Sequence, residues 1–238
     1  MNLIKPAVVL SALLLSGSAV FSAVVYELDF STAKGDVKGW FNEQGWKNQG
    51  KILKMNPRFE NGTQVLEAMG SDSGALIYEF EPSVFLKNAH HVVIEWGVDQ
   101  YPKGADWSGP KDKTWNIREA IDVVITFGIE KISRGNLVVP NLPYFIGLFH
   151  ADGEKVGEAY FGDYWQQSGR CCCISADGTK ELVTTHFALS DKFKEAFGRM
   201  APPVTGLAIK VDCKKNRQGR RTAFHGLDPQ ITFHDQLP

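Results

Sequence analysis

Alternation of apolar and polar residues is the dominant pattern of this chain. From His91 to Asp99, the apolar Val92, Ile94, Trp96 and Val98 interleave with His91, Glu95, Gly97 and Asp99. That period of two is the signature of a strand with one buried face. Ile121 to Gly128 repeats it, with Ile121, Val123, Ile125 and Phe127 against Asp122, Thr126 and Gly128. Further extended segments are expected at Val24 to Phe30, Gln64 to Met69, Ala75 to Phe80, Lys180 to Leu189, Thr205 to Cys213 and Gln230 to Phe233. Tyr144 to Phe149 is nearly all apolar and reads as a central strand. Gly, Pro, Asn and Asp separate these runs. One short helix is expected after Ser190, which would cap it; Phe193, Ala196 and Phe197 form its apolar stripe and Gly198 stops it. One helix among nine or ten strands predicts an all-β jelly-roll sandwich.

The first residues follow a different logic. Lys5, an apolar run from Ala7 to Leu15 and then Gly17-Ser18-Ala19 have the layout of a secretory signal peptide. Cleavage is expected after Ala19 or after Ser22. The run is shorter than the about 20 apolar residues of a membrane span. The expected organisation is therefore a leader over 1–19, a single jelly-roll domain over 24–238, and a periplasmic or secreted location with no membrane span after cleavage.

Composition narrows the partners. Twenty-six Lys and Arg against 27 Asp and Glu give a net charge of −1, which argues neither for nucleic acid nor for an acidic polymer; no nucleic acid partner is expected. The cysteines stand at 171, 172, 173 and 213. Three in a row on a strand point to alternating faces and do not build a zinc tetrahedron. In an exported protein one disulfide is the expectation, with Cys172–Cys213 preferred because both share apolar strand faces; buried free thiols are the alternative.

No G-x-S-x-G elbow, H-E-x-x-H helix, Walker loop or dinucleotide fingerprint occurs, which sets aside the mainstream serine-hydrolase, zincin and nucleotide-dependent classes. No two of the six histidines are spaced as metal ligands. No metal site or cofactor is expected; a structural calcium would suit a jelly roll, but no motif places one.

The positive signals are three. Glu95, Asp99, Asp122, Thr126, Lys210 and Asp212 all oppose core residues on their strands, and Gly97, Gly128, Gly147 and Gly206 recur among them, as where a ligand approaches the backbone. Together they would floor a groove for a hydroxyl-rich ligand, although a solvated outer face is the plainer reading. Trp40, Trp46, Trp107, Trp115, Tyr160, Tyr164 and Trp165 sit among polar residues on predicted loops, two of which, Gln100 to Glu119 and Ala151 to Gly169, are long enough to be functional. Such rings either stack on sugars or anchor the loops. Finally, Lys214-Lys215-x-Arg217-x-x-Arg220-Arg221 reads as a basic hairpin tip.

Trp96-Gly97-Val98-Asp99-x-Tyr101-Pro102-x-Gly104-Ala105-Asp106, then Arg118-Glu119-Ala120 and Val123 to Phe127, resemble an uncharacterised family of exported bacterial jelly-roll proteins. Val204 to Asp212 and Gln230 to Phe233 are similar to the last strands of galactose-binding-like carbohydrate-binding domains. The resemblance implies the fold and says little of activity. Where relatives place further acids after Asp212, this chain has Cys213-Lys214-Lys215.

These observations lead to an exported protein that binds a glycan or envelope polysaccharide on a polar strand face. Asp99, Asp106 and Arg118 would orient the ligand; Glu95, Asp122, Lys210 and Asp212 would line the wall; Trp107, Tyr160, Tyr164 and Trp165 would stack. Two alternatives stand beside it. One is an enzyme of the same fold: a lyase using Arg118 or Lys103 with Tyr144, Tyr160 or His150, or a glycoside hydrolase pairing Glu95 with Asp99 or Asp122. The other is an envelope structural or accessory protein.

Overall fold

The inward sets of the alternating strands meet in one interior, between two antiparallel-dominated sheets. The computed structural model describes residues 22–33, 37–51, 54–60, 63–70, 73–102, 106–107, 118–133, 140–150, 153–161, 166–175, 182–212 and 224–238. Residues 1–21, which include the expected leader, lie outside them.

Thirteen strands are described: β1 (Val24–Asp29), β2 (Lys47–Gly50), β3 (Lys54–Glu60), β4 (Thr63–Gly70), β5 (Ser73–Glu79), β6 (His91–Gln100), β7 (Glu119–Ile132), β8 (Leu142–His150), β9 (Ala159–Tyr160), β10 (Gly169–Ser175), β11 (Val183–Ala188), β12 (Val204–Asp212) and β13 (Phe224–His234). One sheet has six strands in the order β11-β6-β13-β4-β3, with β1 also paired to β13. The other has seven, β2-β5-β12-β7-β8-β10-β9. β10 runs parallel to β8 and antiparallel to β9. The expected all-β jelly-roll sandwich is the observed class.

Val92, Ile94 and Trp96 of β6 and Phe233 of β13 face Ile121, Val123 and Ile125 of β7, Ile146 and Leu148 of β8, and Leu207 and Ile209 of β12 in one buried cluster. Trp96 is fully buried, donates its indole N–H to Thr185 Oγ1 at 3.0 Å and meets the His150 ring edge-on, 4.5 Å between centroids. Burying a side chain of this size against leaving it wet contributes about 2–3 kcal/mol.

Two helices are present rather than one. α2 (Leu189–Phe197) is the expected helix, and buries Leu189 and Phe193. Its start differs from expectation. Ser190 is already inside the helix, its Oγ 2.8 Å from His90 Nδ1, so it is not the cap. Gly198 does end it, in the left-handed region at φ 67°, with its N–H on the Lys194 carbonyl. α1 (Val37–Glu43) was not expected; Val37 and Phe41 pin it to the core. Trp40 and Trp46 belong to this packing. They join Phe30 and Phe41 in one aromatic group, with Trp46 tilted 5.3 Å from Tyr78. They are anchors and not ligand platforms.

Two further expectations are corrected by the topology. β12 and β13 lie in different sheets and do not pair with each other, which sets aside the expected hairpin between them; Lys214 to Arg221 lie outside the described residues. The Cys172–Cys213 disulfide fails as well. Cys172 is a free thiol in the inter-sheet core, and two strands separate β10 from β12. At about 4.8 Å per neighbouring strand that is about 14 Å, twice the Cα reach of a disulfide. Cys213 itself lies outside the described residues, one position beyond β12. Cys171 and Cys173 point to the opposite face of β10, also buried and outside any disulfide. Burial pushes Cys172 up to about 12 and Cys171 higher than a normal thiol, which keeps both protonated and inert.

Candidate functional site

The outer face of the seven-stranded sheet divides into an apolar half and a charged half. Register places Lys210 opposite Asp122, Asp122 opposite Phe149, and Phe149 opposite Cys173. Over β8 and β10, Phe145, Phe149, Cys171 and Cys173 form a small cluster capped by Trp107. The Trp107 indole stacks on Phe149 at 4.9 Å and 28°, and its backbone N–H donates to Glu154 Oε1 at 2.7 Å. Tyr160 closes the side, 6.1 Å from the Phe149 centroid, and its hydroxyl accepts from the Lys155 N–H.

Over β7 and β12 stands a charged patch. Lys210 Nζ donates to Glu119 Oε1, and Arg118 Nε is 3.9 Å from Asp212 Oδ1. Asp122 is buried and accepts from the Leu148 N–H, while its Oδ1 has no partner. Burial pushes the Asp122 carboxyl up to about 8; Glu119 adds to this, and Lys210 and the Leu148 N–H oppose it. Burial also raises Glu119, against the pull of Lys210 and Arg118. For Lys210 burial works the other way, but the Glu119 and Asp122 carboxylates outweigh it and hold the ammonium charged. Lys210 remains 34% exposed, so the patch has one cation at the surface above sealed acids.

This arrangement divides the expected site. Asp122, Lys210, Asp212 and Arg118 come together, and Trp107 and Tyr160 border them across Phe149. Glu95 does not: it pairs with Thr184 and Gln230 on the outer face of the other sheet. Asp99 is on that same strand, and its side chain lies outside the described residues. Glu95 therefore pairs with no carboxylate of the patch, which removes the expected hydrolase pair with Asp122. Asp106 is half-buried beside Trp107. Tyr164 and Trp165 lie outside the described residues, as do Lys103 and Trp115.

The lyase set also separates. His150 points into the inter-sheet core and Tyr160 to the opposite face, while Tyr144 is packed by Phe193 and Phe197. Glycine serves the chain's own neighbours here. A Cβ on Gly147 would stand 2.8 Å from Asp122 Oδ1, and one on Gly206 would stand 2.6 Å from the Tyr78 carbonyl oxygen. At Gly169 a Cβ would meet the Phe145 ring at 2.1 Å. Gly169→Ala is therefore expected to cost about 1–3 kcal/mol in urea unfolding, the range for overpacking.

Glu119 is the principal member missed by alternation. Counting back from Ile121 assigns it to the core, but a bulge between Lys210 and Asp212 shifts the register and brings it under the ammonium. Among the described residues, no three His, Cys, Asp or Glu side chains are arranged to hold a metal ion, and no helix is long and apolar enough to cross a membrane.

No protein-family model and no curated protein matches the chain. Solved structures do resemble it. The family 11 carbohydrate-binding module of the Clostridium thermocellum cellulase Lic26A-Cel5E is 9% identical over 91% of this chain and 96% of its own, with TM-score 0.35. The tandem CBM22 module of Paenibacillus barcinonensis Xyn10C is 13% identical over 94% of this chain and 52% of its own, with TM-score 0.34. The glycoside hydrolase domain of Endo-D from Streptococcus pneumoniae R6 is 12% identical over 80% of this chain, TM-score 0.35, and the match spans only 21% of that chain. Likeness at this level leaves function to be argued from the residues of this chain.

Proposed function

We propose that the protein is an exported binder of a glycan or envelope polysaccharide, with its site at the charged end of the seven-stranded sheet's outer face. The observation that carries the reading is the patch itself. Lys210 and Arg118 offer donors and Asp212 offers an acceptor, all three partly exposed at the surface. A hydroxyl-rich ligand both donates and accepts, and a mixed array of this kind answers it better than a patch of one sign. Trp107 is buried on Phe149, so it shapes the rim and does not supply an open stacking face.

A glycan array probed with the purified mature protein tests this. Retention of at least one polysaccharide is expected, weakened at least fivefold by Asp212→Asn and by Arg118→Gln when each variant is assayed well below its own melting temperature. Empty arrays, or retention indifferent to both variants, would overturn the reading. A glycoside hydrolase is the second reading. It draws on Asp122, a carboxyl holding its proton near neutrality, beside the carboxyl of Glu119. Against it, both side chains are sealed from solvent. Release of reducing ends from a retained glycan would move the assignment to that class.

A further inference from the structure

Three histidines far apart in sequence share the outer face of the six-stranded sheet, away from the charged patch. Val92 and Phe233 point inward, so His91 and His234, one position along, point outward. The β6–β13 register sets His91 directly opposite His234. On the far side of β6, His186 lies opposite Val93, diagonal to His91 and exposed. Side chains directly opposite on antiparallel strands have Cβ atoms about 4.5–5.5 Å apart, within chelating reach of two imidazoles.

We propose that His91 and His234 form a binding site for a late first-row transition-metal ion, Cu²⁺, Ni²⁺ or Zn²⁺, with water in the remaining positions. His91 Nδ1 is buried and has no partner. His234 Nδ1 is 3.1 Å from Ser22 Oγ, a contact that fixes the ring and leaves Nε2 for the metal. Both rings must be neutral to bind. Among the described residues no group of three His, Cys, Asp or Glu is arranged to hold a metal ion, so the proposed donor set is two imidazoles, which suits these ions. His186 is the next imidazole on that face. His90 is outside the set, its Nδ1 being on Ser190 Oγ.

The test is titration of the untagged protein with Cu²⁺ and with Ni²⁺, followed by calorimetry and by electron paramagnetic resonance of the copper form. One equivalent per chain is expected, with hyperfine structure from two imidazole nitrogens. His91→Asn should weaken binding at least tenfold and His90→Asn should leave it unchanged. Metal should also protect His91 and His234 of the unaltered protein from diethyl pyrocarbonate, a readout that needs no variant. Absence of saturable uptake, uptake equal in wild type and His91→Asn, or modification of both rings at full rate in the presence of metal would each overturn the site.

Discussion

Lys210→Met is expected to lower the unfolding free energy by about 3 kcal/mol in urea at pH 7, among the largest losses available to a single substitution on this face. The methionine fills the same volume but leaves Glu119, fully buried, without the ammonium it accepts from. Breaking a buried ion pair from one side costs about 3–5 kcal/mol, because the remaining charge stays desolvated. The lower end applies, since Lys210 is 34% exposed and water screens part of the interaction. Glu119→Gln introduced alongside should restore most of the loss. If the double variant is as unstable as Lys210→Met alone, the ion pair is not what the lysine contributes.

The second large effect is a dependence on pH that runs against the usual behaviour of a carboxylate. Asp122 ordinarily titrates near 3.8 and is pushed up to about 8 in the folded protein. Between those values the folded state holds a proton that the unfolded state has lost. Its stabilising contribution is complete below about pH 4 and disappears as pH rises through 8. His150 acts in the opposite sense. Burial lowers it from 6.5 to about 4, so its contribution is present above 6.5 and is lost as pH falls through 4. The two slopes oppose each other at acid pH, and the Asp122 slope continues between 6.5 and 8, above the range of His150. Melting temperature should therefore fall across that window in the native protein and fall much less in Asp122→Asn, which should be the more stable of the two at pH 8. Parallel curves for both proteins would place the titration elsewhere.

How much of this was legible in the chain depends on the range of the signal. Alternation located β6, β7 and β12 and identified which of their residues face the core, because period two is local. It did not identify the sheet each strand joins. Glu95 and Asp122 carry the same polar pattern and end on opposite sides of the sandwich, since β6 and β7 are joined by a crossing between sheets. β2 reads Lys-Asn-Gln-Gly, all exposed, and offers no apolar position to detect. α1 was hidden by its seven-residue length and by Gly39 within it. The bulge that recruits Glu119 and the meeting of His91 with His234 are long-range events, fixed by pairing partners and not by neighbours in sequence.

The margins of the seven-stranded sheet carry a consequence for behaviour in a crowded compartment. One border is β2, four polar residues long, and the other is β9, only two residues long. A foreign segment seeking to extend the sheet finds too few open amides and carbonyls on either side to register against. Pro57 withholds one such amide on β3, the border of the opposing sheet. The seven-stranded sheet is thereby built to resist templated extension at its own borders.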